Sequence, residues 1–192
     1  MDINIVNRCF MAEEKKTATY KNGQLMYESN YQKGELHGLR REWYENGQLW
    51  SETNHKNGKR HGLCRWWDTN GQPIQESKYE KGKRHGLYRE WHDNGQLWQE
   101  SNYKNGEPQG LRRTWYRNGQ LKFEINYEKG QWHGLRREWD ENGQLRSETN
   151  HKNGQWHGIC RWWYENGQLK FEINYEKGKT IRKNKEEKQN GH

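Results

Sequence analysis

Apolar and polar residues alternate along this chain in short runs, with a period of two rather than 3.6. Gln24–Tyr31 reads QLMYESNY and Leu39–Tyr44 reads LRREWY, and both have the aromatic and polar mixture of half-exposed strands. The two types recur in strict order. Asn-Gly-Gln-Leu begins at Asn22, Asn46, Asn94, Asn118, Asn142 and Asn166, with Asn-Gly-Gln-Pro at Asn70, so the step is 24 residues throughout. Glycines recur beside it at Gly34, Gly58, Gly82, Gly106, Gly130, Gly154 and Gly178. His-Gly recurs at His37, His61, His85, His133 and His157, with Gln109 once in place of His. A fixed period of this size marks a repeat array.

The Glu-Asn-Gly and Asp-Asn-Gly steps predict two-residue type I′ hairpin turns, because Asn and Gly tolerate positive φ. The other connection, of the type QKGELHG, reads as a longer loop. Residues 20–178 then form a seven-unit meander of 13 strands, the last unit partial, in one antiparallel sheet roughly 60 Å long. Recurrent glycine excludes helix from the array.

A two-residue turn at Asn46-Gly47 sets the register. Arg41 faces Glu52, and the same spacing gives Arg65–Glu76, Arg89–Glu100, Arg113–Glu124, Arg137–Glu148 and Arg161–Glu172 as structural ion pairs. On that face runs a tryptophan ladder, Trp43, Trp67, Trp91, Trp115, Trp139 and Trp163. It is faced in turn by Trp50, Ile74, Trp98, Lys122, Arg146 and Lys170. The last three predict cation–π contacts with the ladder. A turn of another length would destroy the Arg–Glu alignment. The opposite face carries Ser51, Thr53 and His55, and in later units Phe123, Ile125 and Tyr127.

Composition changes the picture in one respect. Leu, Ile, Val and Phe together make up about 12% of the 192 residues, too few for an aliphatic core, while Trp numbers 12, Tyr 11 and Gly 21. Burial must come from rings and from units stacked in order. The net charge of +8 is spread thinly over a mixed surface, with an excess in the last fourteen residues. No apolar run is long enough for a membrane helix. Met1–Met11 lacks the basic and apolar parts of a signal peptide, which predicts an intracellular protein. The cysteines have no metal or disulfide spacing, and Cys64 and Cys160 occupy equivalent repeat positions.

The ends depart from the period. Residues 1–19 read as an N-terminal cap with a strand around Ile3–Phe10, and 179–192 as a charged, disordered tail. The open end strands then fall near Ile3 and Tyr175, where a second copy would pair.

The unit YENGQLWSETNHKNGKRHGL, Tyr44 to Leu63, resembles the MORN repeat family (membrane occupation and recognition nexus), in its variant reading Tyr-x-Asn-Gly-x-Leu, then x-x-Gly-x-x-x-Gly. The resemblance spans about Tyr20–Lys179 in seven in-phase copies. It implies an elongated single sheet of stacked hairpins and a scaffold role. The variant is met in bacterial proteins labelled antitoxins and in giant DNA viruses of amoebae. The long internal identities here, such as FEINYEKG at Phe123–Gly130 and Phe171–Gly178, are more like the viral arrays, which implies a virion or host cytoplasm. Some family arrays are connected with phospholipids, a property the Asn-Gly-Gln turn transfers poorly.

Chemistry is weighed against this repetition. Catalysis needs one asymmetric constellation, whereas every His, Glu and Arg here belongs to a ladder, so the chain reads as no enzyme and needs no cofactor. His55 with His61, or His151 with His157, lacks further ligands for a metal. Arg40-Arg41, Arg112-Arg113 and Arg136-Arg137 lie near aromatics as nucleic-acid platforms do, but the second Arg of each is given to a Glu. A membrane tether through the tail is weakened by Glu186 and Glu187. The favoured reading is an all-β scaffold binding a protein partner through Trp43, Trp50, Trp67, Trp91, Trp98, Trp115, Trp139 and Trp163. An antitoxin-type regulator is the alternative.

Overall fold

A computed structural model describes residues 13–184, which form one antiparallel sheet with no helix. Its first strands are β1 (Glu13–Thr19), β2 (Leu25–Gln32), β3 (Glu35–Trp43), β4 (Leu49–Lys56), β5 (Lys59–Trp67), β6 (Pro73–Glu80), β7 (Lys83–Trp91) and β8 (Leu97–Lys104). There follow β9 (Glu107–Pro108), β10 (Gly110–Trp115), β11 (Leu121–Glu128), β12 (Gln131–Trp139), β13 (Leu145–Lys152), β14 (Gln155–Trp156), β15 (Gly158–Trp163), β16 (Leu169–Glu176) and β17 (Lys179–Asn184). Each strand pairs with its chain neighbours. β9 with β10, and β14 with β15, are the two halves of one position, since both halves pair with the same preceding strand.

The sheet is longer at both ends than the repeat motif predicts. β1 pairs with β2 from Glu13↔Gln32 to Thr19↔Leu25, although Glu13–Thr19 carries no repeat signature. Ile3–Phe10, where the sequence suggested a capping strand, lies outside the described residues. Lys179–Asn184 is not a disordered tail: it pairs with β16, from Glu176↔Lys179 to Glu172↔Asn184. Tyr175 is consequently interior, and among the described residues the edges are β1 and β17.

The two turns exchange the roles expected of them. The tight type I′ turn is the one after the first-type strands, where Asn57 (φ 51°) and Gly58 (φ 71°) link the pair Lys56↔Lys59. Lys33, Lys81, Asn105, Lys129, Asn153 and Lys177 hold the same left-handed conformation before their glycines. No long loop follows. The strand resumes at once and bulges at His37-Gly38, where Gly38 takes φ 82° and the register shifts between Ser29 and Tyr31.

The Asn-Gly turn is one residue longer than expected. Gly47 N donates to Tyr44 O and Tyr44 N to Gln48 O, with Gly47 alone at positive φ (84°), a type I turn closed by a glycine bulge. Trp43 therefore pairs with Leu49 and not Trp50. Trp50 is then left over as a second bulge, which restores the register at Glu42↔Ser51 and Arg41↔Glu52. Ile74, Trp98, Lys122, Arg146 and Lys170 are displaced in the same way, with Trp67 opposite Pro73, and Trp91, Trp115, Trp139 and Trp163 opposite Leu97, Leu121, Leu145 and Leu169. Two irregularities of opposite effect leave the Arg–Glu rows aligned.

Side chains hold successive units at a fixed spacing. Asn46 Oδ1 accepts from Gln48 N, and its Nδ2 donates to Thr69 O in the next unit. Tyr44 Oη donates to Trp67 O at 2.9 Å, and Tyr116 repeats the bond to Trp139 O. At the other edge Gly58 N donates to Leu36 O, and Gly82 N to Arg60 O, at 2.9 Å. Both margins are thus stitched by hydrogen bonds outside the sheet ladder.

The two faces differ in burial. Ser29, Ser51, Ser77, Cys64, Cys160 and Ile125 are fully buried, and all lie on the face opposite the Arg–Glu rows. In a single layer, burial requires the strand to curl over its own middle. Trp156 and Trp162, six residues apart on either side of Gly158, have ring centroids at 6.0 Å, and Arg60 lies 5.1 Å above the Trp66 ring across Gly62. Six extended residues would span about 20 Å. The glycine bulges fold that face into a trough, with small side chains on its floor and rings and guanidiniums along its walls.

Candidate interaction faces

The outer face is organised by charge. Glu28, Arg41, Glu52, Arg65, Glu76, Arg89, Glu100, Arg113, Glu124, Arg137, Glu148, Arg161 and Glu172 succeed one another strand by strand across the sheet. Each arginine Nε donates to the following glutamate at 2.8–3.2 Å. Several arginines also reach back, as Arg41 does to Glu28 at 3.2 Å. The glutamate side chains keep 20–28% exposure and the arginines 38–43%, so solvent screens each pair. At the β1 end Lys15 takes the arginine's place, 2.8 Å from Glu28, and lowers the carboxyl's pKa.

Beside the charged rows lie the ladder tryptophans. Trp43, Trp67, Trp91, Trp115, Trp139 and Trp163 are half-buried, while the bulge turns Trp50 and Trp98, 42% and 41% exposed, to the opposite face, where Trp50 and Ile74 stand with Arg60, Trp66 and Tyr79. Leu111 and Ile159, two residues from Arg113 and Arg161 on the charged face, are 38% and 41% exposed. The cations expected over the ladder go elsewhere. Lys122 lies over Tyr116 at 5.1 Å and Lys170 over Tyr164 at 5.3 Å, both turn residues, and Arg146 pairs with Glu165. The added residue in the turn moves these side chains away from the ladder.

The trough was not singled out from the sequence. Its walls hold the first arginine of each Arg-Arg pair: Arg40 and Arg136 bind Glu42 and Glu138, and Arg112 donates to Gln99 at 2.6 Å. Both members of the three Arg-Arg steps therefore have protein partners. Trp132 donates from Nε1 to Tyr127 Oη and stands edge-on to His151 at 5.1 Å. Burial, then the nearby Arg136, lowers the pKa of His151, and burial with Arg60 and Arg40 does the same for His55. Burial also pushes the Cys64 and Cys160 thiols up, away from nucleophilic thiolate. The signal that marks this region is a break in the period: His55 and His151 replace the tyrosine of Tyr31, Tyr79, Tyr103, Tyr127 and Tyr175.

The repeat histidines sit at the bulges. His85 Nδ1 lies 3.5 Å from Glu80 and His133 Nδ1 3.4 Å from Glu128, both partly exposed. Among the described residues no three His, Cys, Asp or Glu gather where a metal could bind, and no helix is long and apolar enough to cross a membrane.

A family model described as MORN repeat variant matches residues 20–33, 36–57, 60–81, 84–105, 108–129, 132–153 and 156–177. From the second on, each matched segment covers one hairpin around the Asn-Gly turn and ends at the left-handed residue before the next glycine. No curated protein matches the chain. With seven tandem matches spread over one continuous sheet, the chain belongs to the MORN repeat variant family.

Proposed function

We propose that the protein is a non-enzymatic scaffold that binds a protein partner across its outer face. One observation carries the reading. Leu111 and Ile159 stand about 40% exposed on a face that no second layer covers, among the half-exposed ladder tryptophans and a mixed-charge row. A contiguous patch of this kind marks an interaction site. Trp and Arg are the residue types that supply binding hot spots, and a repeat array lays them out along an extended surface. Catalysis is not assigned, because the same arginine, glutamate and tryptophan recur in unit after unit and converge nowhere.

Affinity capture of the tagged chain from its native source, with cross-linking and mass spectrometry, tests this. The expected result is a stoichiometric protein cross-linked to residues flanking Trp67 or Trp91, and a toxin as that partner would specify an antitoxin role. Cross-links only between copies of the chain, at β1 or β17, would replace partner binding with self-assembly.

A further inference from the structure

We propose that the C-terminal part of the trough is a binding site for a planar heteroaromatic ring carrying an anionic group. The site lies on the face opposite the one assigned to protein binding, and does not rest on that reading. It is a groove of about 510 Å³ over β13, within the range of small-molecule sites.

Its floor holds polar groups that the protein leaves without partners. Thr149 and His151 are 3% and 4% exposed, yet Thr149 Oγ1 and both ring nitrogens of His151 make no hydrogen bond. The one acceptor near the imidazole, the Thr149 carbonyl, falls outside hydrogen-bonding geometry. A buried donor or acceptor left unpaired costs about 1–3 kcal/mol, so a bound group that pairs with these atoms recovers that energy. The imidazole is held neutral by burial and by Arg136, and so offers one donor and one acceptor. That pairing suits the edge of a heteroaromatic ring, which carries both.

The walls supply stacking and charge. Trp132 and Trp156, 39% and 41% exposed, stand on β12 and β14, two strand positions apart. Two strand spacings leave about 9.6 Å between the strands that carry them, room for a flat ring between indoles. Arg136, Arg146 and Lys170 line the same groove; Arg136 binds Glu138, and Arg146 binds Glu165 with Asp140 nearby, so Lys170, held over Tyr164, supplies the positive charge that favours an anion.

The duplicated copy shows what makes the site. Ser51–Gly58 and Ser147–Gly154 both read SETNHKNG, so the two floors are identical in sequence. Over the first floor, however, the wall positions of Trp132 and Trp156 hold Leu36 and Arg60, and Arg60 lies across Trp66. There Ser51 Oγ also donates to Glu42 at 2.8 Å. The ring-binding walls are present at one copy alone.

Isothermal titration calorimetry of the full chain tests the proposal, with the four ribonucleoside 5′-monophosphates, the corresponding nucleosides and inorganic phosphate as probes. At least one monophosphate should bind, its nucleoside about tenfold more weakly, and phosphate not at all. His151→Tyr installs the side chain that five other units carry and should weaken binding about tenfold or more, while His55→Tyr leaves it unchanged. If His151→Tyr fails to fold, the near-isosteric Thr149→Val decides alone, a weakened affinity supporting the site and an unchanged one refuting it. Silence from all four monophosphates would mean that water serves these groups and would overturn the proposal. Equal loss in His55→Tyr, or phosphate binding as well as a nucleotide, would overturn it too.

Discussion

At the residue scale, two histidines should set the acid limit of the fold. His55 and His151 are held below the ordinary imidazole pKa of 6.5, first by burial and then by neighbouring arginines. The unfolded chain takes up protons near the ordinary value while the folded chain resists them, so stability is full above about pH 6.5 and falls as pH drops toward the depressed folded values. The double variant His55→Tyr/His151→Tyr should flatten the urea midpoint between about pH 5 and 7 relative to the parent. An unchanged slope would place the acid sensitivity elsewhere. A second residue-level outcome concerns backbone strain. Lys81 sits at φ 50°, where a left-handed conformation costs a non-glycine residue about 1 kcal/mol, and asparagine bears it better. Lys81→Asn should stabilise by about 0.5 kcal/mol, read as a higher melting temperature.

At the scale of the element, the hairpin joins two turns and a bulge whose shifts cancel across the charged rows. That cancellation explains how much could be read from the sequence. The strands, their 24-residue step and the Arg–Glu alignment follow from alternation and turn residues alone. The turn types do not, because Asn-Gly serves equally in a type I′ turn and in a type I turn with a glycine bulge. The clue lay in the other glycine series, where Lys or Asn stands before glycine seven times. Trp43–Trp50 pairing failed for the same reason, by the one residue that the longer turn adds. β1 was illegible since Thr17 and Thr19 stand where later units carry Arg and Trp, and the cation on Glu28 comes diagonally from Lys15, which is paired with Asn30.

Two outcomes belong to this scale. Arg89→Ala removes the cation between Glu76 and Glu100 and should destabilise by about 1 kcal/mol, discounted for exposure, with a smaller loss in high salt. Denaturant titrations at two ionic strengths measure both. Docking of β1 should also depend on pH. Its Lys15 holds the Glu28 carboxyl below the ordinary value of 4.5, so the attachment is complete above that pH and is lost as pH falls through the lowered folded value. Amide exchange at Lys16–Thr19 should accelerate on acidification relative to the intrinsic rate, ahead of β6 to β8.

On the scale of the whole molecule, a one-layer sheet with no second layer has nearest-neighbour stability. Each unit is fixed by the unit on either side, through hydrogen bonds at both margins and ion pairs between. Among the described residues, strands β1 and β17 have one neighbour each, so exchange protection should rise from both ends toward the central units. The trough face buries what core the chain has, and the ladder tryptophans of the outer face stay half-exposed. The ladder and its charged rows were therefore legible from the repeat, while the trough walls were not, because only a bend at the glycine bulges brings Trp156 against Trp162.

Hydroxyl-radical footprinting of the captured complex, compared with the isolated chain, tests the assignment of the outer face most directly. Oxidation of Trp67 and Trp91 on the outer face should fall several-fold on complex formation, while Trp132 and Trp156 in the trough stay as reactive as before. Protection of Trp132 and Trp156 with Trp67 and Trp91 unchanged would place the partner in the trough and contradict the account.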